Sequence, residues 1–437
     1  MSRRIVLATL GSLGDLHPFI AIALRLKAHG HEPVIATSPN FRENVAAAGI
    51  AFHAVGPDPD SIMRDLGMDL ARFGRAVMRD TMVILEGAVF PYLQQMYDDL
   101  LPVIDGARLV LASSLLYSAR FAAERLGVPQ MAVVLQPMVF MSAHDPPALD
   151  PAPWLAPLLV KLGPNATRAV YARAKTVITR RAGALYAFRR HLGLPDSGGD
   201  PLFEGQFSTH GTFAVYSSLL GSLQPDYPPN TLVSGFAFYD GNVTPALDPE
   251  LEDFLASGPP PLIFTLGSFA VEFADDFYRT GLAVAAKLGL RAVALTGPRQ
   301  SEAYRHYRTS TTCIGGYAPY SLLLPHARAV IHHGGIGTLG QALRAGRPQL
   351  VVPLLTDQFD NAARAVRLGV ARTISRSRYT TRRVTAEMRR LLEEPAFAAR
   401  AAEVGAVISR DQGAEQIAQA IDEFFGPAGL SQPANSR

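Results

Sequence analysis

The stretch AVIHHGGIGTLGQALRAGRPQLVVPLLTDQFDN, Ala329 to Asn361, decides the fold. An apolar strand runs straight into His332, His333, Gly334, Gly335, Ile336, Gly337 and Thr338, and a helix follows. A second apolar strand, Leu350 to Leu355, ends in Asp357 and Gln358, with Asn361 close behind. Glycines without Cβ let backbone N–H groups approach an anion, and a helix N-terminus adds positive partial charge. The turn is therefore read as a seat for a phosphate or diphosphate. The acid and amides lie at the same edge of a parallel sheet, where such proteins bind ligands, and suit sugar hydroxyls.

Strand and helix alternate outward from this block. The first part reads strand Ile5–Thr9, a glycine turn at Gly11–Gly14, a helix near Pro18–His29 stopped by Gly30, and strand Glu32–Thr37. Strand Leu109–Ser113, helix Tyr117–Leu126 and strand Gln130–Leu135 follow, then loops and helices over Pro137–Asp200, with strands near Phe213–Tyr216 and Leu232–Ser234. After a Gly/Pro/Asp-rich linker the pattern restarts with strand Leu262–Leu266, turn Gly267-Ser268, a helix near Asp275–Leu288 and strand Arg291–Thr296. Ala8-Thr9-Leu10-Gly11-Ser12 matches Phe264-Thr265-Leu266-Gly267-Ser268, a weak internal repeat, although strand-Gly-Ser turns are common. The expected class is α/β: two Rossmann-like, doubly wound parallel-sheet domains facing across a cleft. The expected division is residues 1–240, a linker 241–261, a second domain 262–412, and a C-terminal helix (Glu415–Phe425) with a frayed tail in 413–437.

The chain has 437 residues, 48% hydrophobic and 18% charged, with net charge +3, which fits a two-domain globular protein and argues nothing about nucleic acid. The single cysteine, Cys313, fits a reducing cytoplasm. Ser2-Arg3-Arg4 leads directly into a strand, so no signal segment is expected, and the apolar runs are too short for a membrane span.

Individual residues carry competing readings. Gly335-Ile336-Gly337-Thr338-Leu339-Gly340 matches G-x-G-x-x-G with an acid after the next strand, which admits a nicotinamide dehydrogenase. The paired histidines, the amides and the late position in the chain argue against it. His332 and His333, adjacent on a strand, point to opposite faces and do not chelate one ion together, so no protein-bound metal is expected. One ring donating to a phosphate is the preferred use, with packing for the other. Asp15, in Gly11-Ser12-Leu13-Gly14-Asp15-Leu16-His17-Pro18, is either a helix-start acid with Pro18 in the first turn or a general base in the cleft; His17 is the rival base. Tyr317-Ala318-Pro319-Tyr320 offers an aromatic for base stacking. Between Leu155 and Leu194 lie eight Lys or Arg residues and no Asp or Glu, interleaved with apolar residues. A solvated helical face is the preferred reading, and contact with an anionic membrane surface is the other.

Taken in order, Tyr317-Ala318-Pro319, the His332-x-Gly334 turn and Asp357-Gln358-x-x-Asn361 resemble the signature of family 1 of the nucleotide-sugar-dependent glycosyltransferases, with the two-domain GT-B fold. GSLGDLHPF (11–19), MSAHDPP (141–147), GFAFYDG (235–241) and DQFDNA (357–362) resemble segments of bacterial rhamnosyltransferases of rhamnolipid synthesis and of enzymes that glycosylate lipids, carotenoids or polyphenols. The resemblance implies an inverting transfer from a UDP- or TDP-sugar to a hydroxyl of a hydrophobic small-molecule or lipid acceptor, without cofactor or protein-bound metal. His332 would bind the donor diphosphate, aided by Ser268 and the backbone of Gly334, Gly335, Ile336, Gly337 and Thr338. Tyr317, next to Ala318, would stack on the base, and Asp357, Gln358 and Asn361 would hold the sugar. Asp15 would be the base, with Ser12, Gly14 and His17 on the acceptor side of the cleft, and Leu66–Tyr97 with Val139–Leu194 would shape the acceptor pocket. Plant-type members carry tryptophan at the Tyr317 position and glutamine at Tyr320, and the rhamnolipid enzymes carry proline where His333 stands, so neither the base nor the product carries over. An NAD-dependent oxidoreductase, a non-catalytic sugar-nucleotide-binding auxiliary protein and a sugar-nucleotide epimerase are the alternatives. Localisation is expected to be cytoplasmic, with the inner-membrane periphery as the second reading.

Overall fold

The computed structural model describes residues 3–150, 152–195, 199–241, 246–274 and 276–426. The expected frayed tail, part of the linker and the expected start of a helix at Asp275 lie outside the described residues. Strands β1 (Arg4–Ala8), β2 (Glu32–Thr37), β3 (Ala51–Ala54), β4 (Leu109–Ser113), β5 (Gln130–Val134), β6 (Thr212–Ala214) and β7 (Thr231–Val233) form one sheet in the order 3-2-1-4-5-6-7. Strands β8 (Leu262–Thr265), β9 (Ala292–Leu295), β10 (Thr312–Gly315), β11 (Ala329–His332), β12 (Gln349–Val351) and β13 (Ala371–Thr373) form the second, in the order 10-9-8-11-12-13. Neighbouring strands are parallel throughout both sheets. Ile5, Val6, Leu7 and Ala8 are all fully buried because helices cover both faces of a parallel sheet. The matched segments at Ala8 and Phe264 fall on β1 and β8, the strands at which each sheet reverses its order. Ligands of open α/β sheets bind at that switch point.

The helix after β1 runs Leu13–Ala28, five residues earlier than its expected start. Ser12 and Asp15 form a reciprocal capping box that begins the helix there, so Pro18 lies in its second turn and not its first. Pro18 has no N–H to give, which removes the helical donor for the Gly14 carbonyl at the cleft. The stretch 137–200 contains helices Leu155–Leu162, Pro164–Arg181 and Gly183–His191.

The halves are packed together at two places beside the cleft. Phe73 and Val77, from helix Leu70–Arg79 of the first half, are buried among Val271, Phe273 and Phe277 of the second. Phe73 and Val77 of the 66–97 stretch thus make an interdomain contact; each such side chain contributes about 1.5–3 kcal/mol when fully buried. On the other side Phe140, Tyr216 and Phe236 pack with Leu339, Leu343 and Ala365.

Helix Gly413–Phe425 crosses back to the first half, where Ile417, Ala418 and Ile421 pack with Leu16, Phe19 and Ile20. His29 bridges Asp422 (Nδ1, 2.6 Å) and Glu415 (Nε2, 3.1 Å), and the Asp422 hydrogen bond holds its imidazole above the ordinary histidine value. The stabilisation is fully present below the unfolded value of about 6.5 and is lost as pH rises through the raised folded one. Amide exchange in 413–425 should therefore be better protected in mildly acid than in alkaline solution, after correction for intrinsic rates. Equal protection at both would contradict this role for His29.

Candidate active site

The second half supplies one wall of the cleft. Gly334 adopts φ +93°, and a Cβ there would meet Val351 Cγ1 at 2.8 Å and the Gln358 carbonyl at 3.2 Å, so the turn after β11 needs glycine. The helix Ile336–Arg344 then begins, and Leu339 is its first amide to find a backbone acceptor, Gly335 O at 2.9 Å. The amides of Ile336, Gly337 and Thr338 have no such partner among the described residues, and this leaves a donor cluster at the positive end of a helix. The turn after β8 stands beside it: a Cβ on Gly267 would lie 2.9 Å from His333 Cε1 and 3.5 Å from Thr338 Oγ1. Ser268 is exposed next to Gly267. Tyr320 bonds inward to Thr265 Oγ1 at 2.7 Å and to Thr338.

His332 does not face this turn. Its ring is fully buried, Nε2 donates to Gln349 Oε1 at 2.8 Å and Nδ1 accepts the Gly334 N–H at 3.0 Å. Burial lowers its pKa to about 4, so it is a neutral brace with no nitrogen left for a phosphate. The diphosphate contact expected of His332 is corrected accordingly: the last residue of β11 points into the core, towards the next strand. His333 points the other way, lying against Gly267 and Gly335, with its Nδ1 buried and unpartnered among the described residues. Burial lowers its pKa to about 3.

The strand-end acid and amides also divide. Asp357 accepts from Thr356 Oγ1 (2.9 Å) and Asn361 Nδ2 (2.7 Å) while remaining partly open. Gln358 Oε1 accepts the amides of Leu354 and Leu355 at 2.9 and 3.0 Å, so its carbonyl braces the loop. Asn361 is fully buried and ties Asp357 to the Gly334 carbonyl at 3.0 Å. Direct sugar contact by Asn361, and by the Gln358 carbonyl, is thereby corrected: a chain reversal out of sheet and helix must satisfy its own backbone groups. Tyr317, by contrast, is 61% exposed beside buried Ala318.

The first half supplies the facing wall. Asp15 Oδ2 accepts the Ser12 N–H at 2.7 Å and the Ser12 hydroxyl at 3.1 Å, and Ser12 Oγ accepts from Gly14 N. Burial raises the Asp15 pKa against the opposing pull of these bonds. Burial raises Asp357 to about 6, and the negative charge of Asp15 adds to it from the other wall of the cleft. A Cβ on Gly337 would lie 3.5 Å from Gly14 Cα, so the two helix starts meet. Burial lowers the pKa of His17 to about 4, and its ring stands edge-on to Tyr239 at 5.4 Å, which leaves it a neutral packing partner.

Two features were not predicted. Asp240 of GFAFYDG pairs with Arg344 at 2.8 Å and Gln341 at 3.2 Å, fixing the donor helix from the other half. Arg364, 2% exposed, is paired with Asp360 (2.6 Å) and with Asp145 of MSAHDPP, and donates to the Leu220 carbonyl at 2.8 Å. Asp360 also accepts the Ala148 amide at 3.0 Å. An open cavity of about 550 Å³ is lined by Met63, Arg64, Met68, Leu70 and Arg299. Met68 and Leu70 belong to the stretch expected to shape the acceptor pocket, and none of the residues expected to bind donor or take the proton lines it. Among the described residues no group of three or more His, Cys, Asp or Glu is placed to hold a metal. No helix among them is long and apolar enough to cross a membrane.

Two parallel-sheet α/β domains whose glycine turn and capped carboxylate meet across a cleft define a GT-B architecture. Residues 5–143 match the glycosyltransferase family 28 N-terminal domain and residues 300–424 the erythromycin biosynthesis protein CIII-like C-terminal domain. The chain is 32% identical over 428 residues to O-mycaminosyltylonolide 6-deoxyallosyltransferase of Streptomyces fradiae, covering 96% of this chain and 97% of that one. It is 28% identical over 384 residues to vancomycin aglycone glucosyltransferase of Amycolatopsis orientalis, covering 84% of each. In fold it is similar to the kitacinnamycin glycotransferase, with TM-score 0.70 and 21% identity over 97% of this chain and 99% of that one. The protein belongs to the family 1 GT-B glycosyltransferases that include the antibiotic glycosyltransferases, which transfer sugars from nucleotide sugars. The dinucleotide reading of Gly335–Gly340 yields to this: Gly340 serves interdomain packing, since a Cβ there would meet Phe236 Cε1 at 2.7 Å.

Proposed function

We propose that the protein is an inverting transferase that moves a hexosyl or 6-deoxyhexosyl group, glucosyl and rhamnosyl among them, from a UDP- or TDP-sugar to a hydroxyl of a hydrophobic small molecule or lipid. The meeting of two helix starts across one cleft carries the reading: Gly14 against Gly337, with Asp15 electrostatically coupled to Asp357. The acceptor oxygen attacks the anomeric carbon from the face opposite the diphosphate, and Asp15 takes its proton as the bond to the leaving oxygen breaks. A carboxylate serves here because the proton becomes acidic as the attacking oxygen gains positive character. Negative charge on the departing diphosphate is met by the amides of Ile336, Gly337 and Thr338 with Ser268, donors already in place before reaction. No protein-bound metal is assigned. Tyr317 stacks on the base, worth about 1–3 kcal/mol, and Asp357 with the Gln358 amide nitrogen receives sugar hydroxyls. The name of the Streptomyces fradiae relative supports a deoxyhexosyl donor.

A thermal-shift series with UDP, TDP, their sugars and NAD tests the donor class. A diphosphate at 100 times its dissociation constant should stabilise by about 2.7 kcal/mol. A response to NAD with none to either diphosphate would overturn the reading.

A further inference from the structure

We propose that the helical hairpin Leu155–Leu162 and Pro164–Arg181 docks on an anionic lipid surface. The hairpin is unpartnered on its outer side: along its 18-residue second helix Thr167 alone is buried. Eleven large hydrophobic residues are exposed among the described residues, and six of them fall here: Trp154, Leu158, Val160, Leu162, Val170 and Val177. Trp154 is the most open, at 68%. Val170, Arg173, Val177 and Arg180 recur at helical spacing, so apolar and cationic side chains share one stripe.

Charge divides the cations of the hairpin and of the helix Gly183–His191 that follows it. Lys175, Arg181 and Arg189 are held by Glu204, Glu86 and Glu124 and anchor the segment to the protein. Lys161, Arg173, Arg180 and Arg190 are exposed and make no ion pair among the described residues. No acid lies between Leu155 and Leu194 to neutralise them. A second copy placed on this face would oppose cation to cation. A bilayer with anionic headgroups offers the complementary charge together with an apolar layer at the depth that Trp154 and the leucines reach. The mode is shallow attachment, since no described helix can span.

Trp154 is the single tryptophan of the chain, so its fluorescence reports on this hairpin alone. The full-length protein is mixed with vesicles of pure phosphatidylcholine or of equimolar phosphatidylcholine and phosphatidylglycerol. Cosedimentation and a blue shift of Trp154 are expected with the mixed vesicles, weakening as salt rises. Arg173→Glu with Arg180→Glu, both exposed, should weaken vesicle binding by about tenfold or more while the far-ultraviolet circular dichroism and the response to nucleoside diphosphates stay unchanged. No shift with anionic vesicles, equal binding by the charge-reversed protein, or hairpin-dependent self-association in sedimentation velocity without lipid binding would overturn the proposal. Because the readout is binding to lipid, a failure here is distinct from a failure of the donor reading.

Discussion

Asp15→Asn should lower turnover by about 100-fold or more, the usual scale of a lost general base, while donor affinity stays close to that of the parent. The substitution separates the two roles of the side chain. Asparagine keeps an oxygen for the Ser12 amide, now bonded at 2.7 Å, so the helix cap survives. An alanine would also lose the cap, at about 0.5–2 kcal/mol, and confuse the result. The carboxyl must be ionised to accept a proton, and burial raises its pKa. The parent's kcat should therefore rise with pH along an acid limb lying above the ordinary carboxylate range, and the Asn variant should lose that limb. Full turnover in the variant would move the base elsewhere. The same shifts oppose stability: Asp357, raised to about 6, binds protons more tightly when folded. Its contribution is greatest below the unfolded value of about 3.9 and declines as pH rises through 6.

Arg364→Leu should cost about 3–5 kcal/mol, the scale for breaking a buried ion pair from one side. It would leave Asp360, 1% exposed, as an uncompensated charge with only the Ala148 amide for support. The damage reaches the site, because Asp360 and Arg364 belong to the helix Gln358–Arg367 that Asp357 begins, while Asp145 belongs to a loop of the other half. Denaturant midpoints measure the loss. Adding Asp360→Asn should recover part of it, since the stranded charge is then gone, and this cycle isolates the pair. Equal midpoints for parent and Arg364→Leu would show that the network carries no stability.

The sheet centres were legible because their strands are buried on both faces and read as unbroken apolar runs, as in Leu109–Ser113. The edge strands Ala51–Ala54 and Ala371–Thr373 were not: they are partly open to solvent and have no such run, whereas the edge strand Thr231–Val233 was anticipated near Leu232–Ser234. At the site, the glycine turn and Asp15 as a helix-start acid are local and could be read. The Ser12 cap that starts the helix at Leu13 was missed because Pro18 looked like its first turn. Which of two adjacent histidines faces inward depends on Gln349 in the neighbouring strand, and their alternation alone does not tell. Asn361 and Gln358 looked like ligand groups because they are polar beside a glycine turn, yet the chain reversal uses them to satisfy its own amides and carbonyls. The i,i+4 spacing of Asp360 and Arg364 was visible. Their third partner, Asp145, lies 219 residues from Arg364, and only the folded chain brings it there.

A crystal structure of the protein with a bound nucleoside diphosphate tests the whole account most directly. The terminal phosphate should lie within hydrogen-bond reach of the amides of Ile336, Gly337 and Thr338, with the base against Tyr317 and the Asp15 carboxyl facing the open side. A diphosphate seated away from that turn, with those three amides turned to other partners, would contradict it.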